Sequence, residues 1–276
     1  MKVAITGANG YIGKHVTKKL LDLGHHVVAV GINTDEIDRR ADIIVEDILL
    51  ENPHVFASLG FPDACLHMAW RDGFVHNSDA HMQRLSAHYT FIKNMIDGGL
   101  KQISVMGSMH EIGYHVGAID ENTLCNPTNM YGIAKDSLRR SLIVYAETRN
   151  VAWQWLRAYY IYGDDTRNHS IFAKILLAAA AGETHFPLNT GRNQYDFISV
   201  HELAAQIAAC VLHKEVTGII NCCTGKPVSL AEQVERFIAE HNLAIKPVYG
   251  VFPDREYDSP QVYGDNTKIA KIMEIV

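Results

Sequence analysis

Val3-Ala4-Ile5-Thr6-Gly7-Ala8-Asn9-Gly10-Tyr11-Ile12-Gly13 runs from a short apolar strand through three glycines into a helix. Gly7 permits the tight turn, Gly10 leaves room for a pyrophosphate against the backbone, and Gly13 lets the helix lie close on the sheet. The start of such a helix offers unpaired N–H groups and the positive end of a dipole. Ile12, Val16, Leu20 and Leu23 share one face of a helix predicted over 11–23, which Gly24 ends before a strand over 26–30. A strand–helix–strand unit builds a parallel sheet with covering helices. Further strands are predicted near 43–45, 64–68, 102–106 and 152–156, with helices over 78–96 and 131–148. The expected fold class is α/β, a doubly wound parallel sheet of Rossmann type.

Beyond residue 163 the pattern changes. A helix over 169–181, a strand over 196–200 and a helix over 202–212 are followed by turns at Pro227, Pro247, Pro253 and Pro260. The expected division is a dinucleotide-binding domain over 1–163, with 196–225 returning to it. A small interleaved substrate lobe is expected over 164–195 and 226–276.

The 276 residues are 47% hydrophobic and 20% charged, with a formal net charge of -6. That composition suits one large globular domain with a lobe. It supplies no basic surface for nucleic acid. The longest apolar stretch, near 175–181, is too short to span a bilayer. With a strand predicted from Lys2, no signal peptide is expected. Cys65, Cys125, Cys210, Cys222 and Cys223 lack metal-type spacing, so no metal is expected and a reducing, cytoplasmic setting is. The fifteen histidines are scattered along the chain, with His25-His26 in a solvated turn.

The choice between cofactors is expected to lie after the second strand. An NAD site usually offers Asp or Glu there to the ribose diol, whereas this chain reads Val30-Gly31-Ile32-Asn33. Arg39 and Arg40 follow and could reach a 2′-phosphate, although Asp35 could bend back as a diol acceptor. The reading admits NADP(H) or NAD(H) and leans to NADP(H). Asp47 could accept an adenine amino group while Ile48 packs on the ring.

Tyr131 and Lys135 stand four apart in Tyr131-Gly132-Ile133-Ala134-Lys135, on one helix face. A nearby ammonium favours the phenolate, so Lys135 is expected to bring Tyr131 towards neutrality. Lys135 could also hold the nicotinamide ribose. Ser108, just beyond the fifth strand, offers a hydroxyl to the same substrate oxygen. These three are the expected catalytic residues.

With these motifs the chain resembles the extended short-chain dehydrogenases/reductases, in their NAD-dependent epimerase/dehydratase branch. The resemblance rests on Thr6 to Gly13, on Tyr131 to Lys135, and on Ser108 five residues before Gly113. It rests also on His67-Met68-Ala69, on Leu156-Arg157 through Tyr162-Gly163, and on Asp196-Phe197-Ile198-Ser199-Val200. It implies cofactor contacts from Gly7, Asn9, Gly10, Tyr11, Ile12, Gly13, Asn33, Arg39, Arg40, Asp47, Ile48, His67, Met68, Ala69, Tyr131, Lys135 and Tyr159. It implies a nucleotide-diphosphate sugar near Trp70, Arg84, Ser108, Met109, His110, Tyr131, Tyr160, Arg192 and Tyr195. Arg255 would be a diphosphate partner, since a guanidinium fork matches phosphate oxygens.

Three departures bear on the substrate. Arg84-Leu85-Ser86 stands where epimerases of this branch carry an asparagine, Tyr159-Tyr160 where they have Phe-Asn, and Tyr195 where they often have arginine. Met109-His110 follows Ser108 where dehydratases place Asp-Glu. Gly107-Ser108-Met109-His110-Glu111 and Tyr257-Asp258-Ser259-Pro260 look more like reductases of 4-keto-6-deoxy sugar nucleotides. The expected reaction is reduction of such a dTDP- or GDP-linked ketone, with a 4-epimerase carrying retained NAD as the alternative. The resemblance also implies a homodimer packed through the Tyr131 helix.

Overall fold

The computed structural model describes residues 1–254 and 258–275. Lys2–Thr6, His26–Gly31, Asp42–Val45, Ala64–His67, Gln102–Ser108, Ala152–Ala158 and Gly218–Cys222 form one seven-stranded parallel sheet. Numbered along the chain, these strands lie in the order 7-6-5-4-1-2-3. The order reverses between the first and fourth strands, and ligands of such sheets bind at that crevice. Thr6 pairs in register with both Val30 and His67. The glycine turn and the 68–70 loop therefore leave the sheet side by side. Two apolar clusters cover its faces, one around Val16, Leu20 and Ile207, the other around Phe91, Met95 and Leu138.

A second sheet holds Pro227–Ser229, Gln194–Ser199, Gln261–Gly264 and Gly117–Ile119, and Tyr160–Tyr162 pairs with Gln194–Ser199. Its core gathers Phe172, Phe197, Val234 and Phe237. The stretch expected to return whole to the dinucleotide domain is thus divided. Gln194–Ser199 belongs to the second sheet, while the helix Val200–Leu212 and the strand Gly218–Cys222 rejoin the first. Thr267–Met273, expected in the lobe, instead buries Ile269 and Ile272 in the main core. The helix expected over 78–96 is two, Ala80–Gln83 and Leu85–Asp97. Both ring nitrogens of His81 anchor the shorter one, to Trp70 Nε1 at 3.1 Å and Val75 O at 2.9 Å. Among the described residues no helix is long and apolar enough to cross a membrane.

Asp196 ties the sheets together. Its buried carboxylate accepts from the N–H groups of Thr224 (2.9 Å), Gly225 (2.8 Å) and Gly264 (3.2 Å), and from the Thr224 hydroxyl (2.7 Å). Asp196→Ala leaves those donors without their acceptor. Urea unfolding should report a loss of about 2–4 kcal/mol.

Candidate active site

A cleft of about 300 Å³ opens at the reversal point, lined by residues that include Gly7, Asn9, Gly10, Asn33, Asp47, Ile48, Ala69, Trp70 and Arg84. Nine residues named from the sequence thus meet at one place. Its apolar side, Val30, Ile32, Ile48 and Leu49, suits a flat ring, and Glu46 and Asp47 can accept from amino or hydroxyl groups. The helix Gly13–Asp22 starts beside it with no side-chain cap; Lys14 N–H donates to Gly10 O and His15 and Val16 N–H to Ile12 O, so an anion there would meet the positive dipole end and the backbone of the glycine turn. This donor set fits a dinucleotide. A Cβ at Gly13 would stand 2.1 Å from Gly7 O, so the helix cannot keep its place with any side chain there. Gly13→Ala should weaken dinucleotide binding by about 5- to 150-fold by calorimetry, since such overpacking costs about 1–3 kcal/mol.

The side chains of other expected cofactor residues pack within the protein. His67 is buried between Thr6 Oγ1 (2.8 Å from Nδ1) and His88 Nδ1 (3.0 Å from Nε2). Burial holds it well below the usual histidine range. Met68 and Ile12 pack on the main core. Tyr11 packs edge-on against His15, at 6.4 Å. Tyr159 is enclosed in the lobe's core instead of reaching the cleft, because its neighbours are Cys223 and Gly264. The lean to NADP(H) rests on two arginines, and one is already committed. Arg40 Nη2 donates to Asp38 (2.6 Å) and Asp22 (2.8 Å), and Arg39 is exposed outside the cleft lining. Arg71, not named from the sequence, joins Arg84 in that lining.

The helix Met130–Glu147 carries Tyr131 and Lys135, and Asn129 caps it by accepting from Gly132 N–H at 2.8 Å. Tyr131 N–H donates to His76 O at 2.9 Å, which pins the loop after Trp70 to the helix start. Lys135 is buried; its Nζ donates to Met106 O at 2.7 Å and stands 3.8 Å from the Trp70 ring centre. Burial brings Lys135 down to about 7, against the pull of the Glu111 charge. Burial pushes Tyr131 up to about 12; a hydrogen bond with Ser108 opposes this and Glu111 adds to it. The expected lowering of Tyr131 by Lys135 is thus reversed here. Enclosure among rings disfavours both charged forms.

The scattered histidines converge. His76 stacks on Tyr131 (5.7 Å, 11°), His81 and His110 flank it (5.3 and 6.1 Å), and His88 stacks on Trp70 (4.5 Å). Burial lowers His110 to about 4 and His88 to about 3, so these two rings are uncharged at neutral pH. No spacing reveals this cluster, because a loop, two helices and a turn supply its members.

The expected sugar-binding residues divide. Trp70, Arg84 and His110 lie at the cleft or against Tyr131. Met109 is buried in the lobe core. Tyr160 and Tyr195 stack on each other at 4.3 Å against that same core. Arg192 is exposed on the loop before Gln194–Ser199, and Arg255 lies outside the described residues.

Comparison with known proteins adds the following. The sequence model of the NAD dependent epimerase/dehydratase family matches residues 3–223. The chain is 48% identical over 269 residues to the dTDP-6-deoxy-L-talose 4-dehydrogenase (NAD(+)) of Aggregatibacter actinomycetemcomitans, covering 96% of this chain and 99% of that one. The UDP-glucose 4-epimerase of Thermotoga maritima, solved with UDP-glucose, superposes with a TM-score of 0.83 at 22% identity, over 98% of this chain and 92% of its own. That of Thermus thermophilus, solved with NAD, gives 0.82 at 18% identity, over 98% and 92%. At those identities the two structures show the fold.

Proposed function

The chain belongs to the NAD dependent epimerase/dehydratase family, and on that footing we propose that it exchanges hydride between NAD(H) and C4 of a dTDP-linked 6-deoxyhexose. The reaction would interconvert the 4-keto sugar and the 6-deoxyhexose. The observation that supports this most is the meeting of Ser108, Tyr131 and Lys135 beside the dinucleotide cleft, joined to it by Trp70. The 48% identical relative carries the same chemistry in its name. NAD(H) is favoured over NADP(H) by the pairing of Arg40 with Asp38 and Asp22 and by Glu46 and Asp47 in the cleft. Carboxylates there repel a 2′-phosphate.

When bound, the nicotinamide supplies or takes the hydride. In the reducing direction Tyr131, which keeps its proton up to about 12, donates it to the alkoxide forming on the sugar oxygen. The Ser108 hydroxyl hydrogen-bonds that oxygen. Lys135 holds the ribose hydroxyls and, when charged, favours the tyrosinate left behind. His88, His110 and Trp70 enclose the site and exclude water from the reacting carbon. The homodimer is proposed to pack through Met130–Glu147, whose Ile133 and Val144 are exposed.

The test is reduced-nicotinamide absorbance with a panel of nucleotide-diphosphate 4-keto-6-deoxyhexoses, with NADH and NADPH in parallel. Consumption of NADH by one dTDP-keto sugar, and far slower use of NADPH, is the expected result. Conversion of a plain sugar nucleotide without added reductant would replace this reading with the epimerase.

A further inference from the structure

We propose that Glu111 is a positioning residue of the reaction centre, fixing Ser108 and setting the electrostatic field at Lys135 and Tyr131 from behind the fifth strand. The proposal rests on the functional reading above.

Glu111 closes the turn Met109–Glu111 as the far member of a capping box. Its carboxylate is fully buried. Oε1 accepts from Ser108 N–H at 3.0 Å, and Trp155 Nε1–H donates to both oxygens at 2.8 and 2.9 Å. Arg157, itself fully buried, approaches Oε1 at 3.4 Å, and Arg139 approaches Oε2 at 3.4 Å. Donors on a strand, on the catalytic helix and on the turn's own backbone therefore converge on one anion. Glu111, Cys125 and Asp136 bring ligand-type atoms within 4.8 Å of one another. The Arg139 guanidinium contacts all three, with Cys125 Sγ at 3.5 Å and Asp136 at 2.5 Å, so the group is an ion-pair network.

Two links carry this anchor to the chemistry. Ser108 starts the turn, and its Oγ accepts from His110 N–H at 3.3 Å, so the hydroxyl's position follows Glu111. The Tyr131 helix rests directly on the turn, since a Cβ at Gly132 would stand 2.4 Å from His110 O. The field acts in parallel. The charged and titratable groups around Lys135 are Tyr131 and Arg139 on its own helix, His67 and His88 from the sheet and the facing helix, and Glu111. Asp136, next to Lys135 on the helix, is held by Arg139 and Arg140, and Glu111 is the carboxylate whose charge acts on Lys135. Its charge favours the ammonium of Lys135 and opposes the tyrosinate. A residue that only held the turn would act on Ser108 and leave Lys135 unchanged.

The experiment compares Glu111→Gln, which keeps the shape, with Glu111→Asp, which keeps the charge but shortens the reach. Lys135 is titrated by NMR of labelled lysine side chains, assigned with Lys135→Met, so no substrate is needed. Glu111→Gln should move the Lys135 midpoint down by about half a unit or more, because the anion goes and Arg157 loses its carboxylate partner. Its kcat should fall at least about tenfold with KM little changed. Glu111→Asp should leave the midpoint in place and still lose kcat through Ser108. If Glu111→Gln does not fold, Trp155→Phe, which removes the indole donor together with part of a buried ring, should lower kcat severalfold at constant NADH affinity. A folded Glu111→Gln with wild-type midpoint and kcat overturns the proposal, as does a Trp155→Phe enzyme with wild-type kcat. Wild-type protein inactive on every sugar would sink the functional reading, and the Lys135 midpoint would still decide this one.

Discussion

Tyr131→Phe should lower kcat by about 10²–10⁴-fold while NADH affinity stays within about twofold of wild type. The phenylalanine keeps the ring that His76 stacks on at 5.7 Å and that Trp70 meets edge-on at 6.1 Å. It removes only the hydroxyl. Burial keeps that hydroxyl protonated up to about 12, so near neutral pH it is a proton donor suited to the reducing direction. Oxidation needs the tyrosinate and should quicken as pH rises. Reduction should hold its rate up to about pH 7 and slow above it, as Lys135 loses the charge that favours the tyrosinate left behind. Initial rates in both directions from pH 6 to pH 10 check the sign. A Tyr131→Phe enzyme with near wild-type kcat would remove Tyr131 from the chemistry.

Lys135→Met should abolish most activity and make the protein more stable. Lys135 titrates at about 7 in the folded chain, against its ordinary value of 10.5. Between those values the unfolded chain binds more protons than the folded one, so stability rises with pH there. The cost of holding this lysine is complete below pH 7 and gone above pH 10.5. Methionine removes the ionisable group and keeps an unbranched chain over the Trp70 ring, a favourable sulfur–aromatic contact. Replacing a poorly compensated buried charge in this way is worth about 1–3 kcal/mol, less the donor lost to Met106 O. Urea unfolding at pH 6.5 should show the gain, and at pH 9.5 a smaller one. The kcat of Lys135→Met should fall about 10²-fold or more. Equal or lower stability at pH 6.5 would mean that the lysine is not held at a cost.

The dinucleotide turn, the parallel sheet and the Ser108–Tyr131–Lys135 set are legible in the sequence because each is written in local spacing. The rest depends on contacts between distant segments. Trp70 and Lys135 lie 65 positions apart in the chain yet stand 3.8 Å apart in the fold, and that enclosure reverses the electrostatics expected of Tyr131. The histidine cluster is hidden for the same reason. Tyr159, Tyr160 and Tyr195 are assigned to ligands through resemblance, and they pack the lobe's core because that small sheet needs large rings to fill it. Two signals are available locally. Ser108 and Glu111 have capping-box spacing, which points to the carboxylate that anchors the site. Asp38 stands two residues before Arg40, close enough to claim the guanidinium expected to serve a phosphate.

Hydride exchange at the sugar's C4, assisted by Tyr131, can be followed with an isotopic label. The direct measurement supplies NADH deuterated at the transferable position of nicotinamide C4, with a dTDP-4-keto-6-deoxyhexose, and locates the label by NMR. Deuterium at C4 of the 6-deoxyhexose, one per NADH consumed and lost with Tyr131→Phe, is the predicted result. Product carrying no deuterium from added NADH, or label at another carbon, would contradict it.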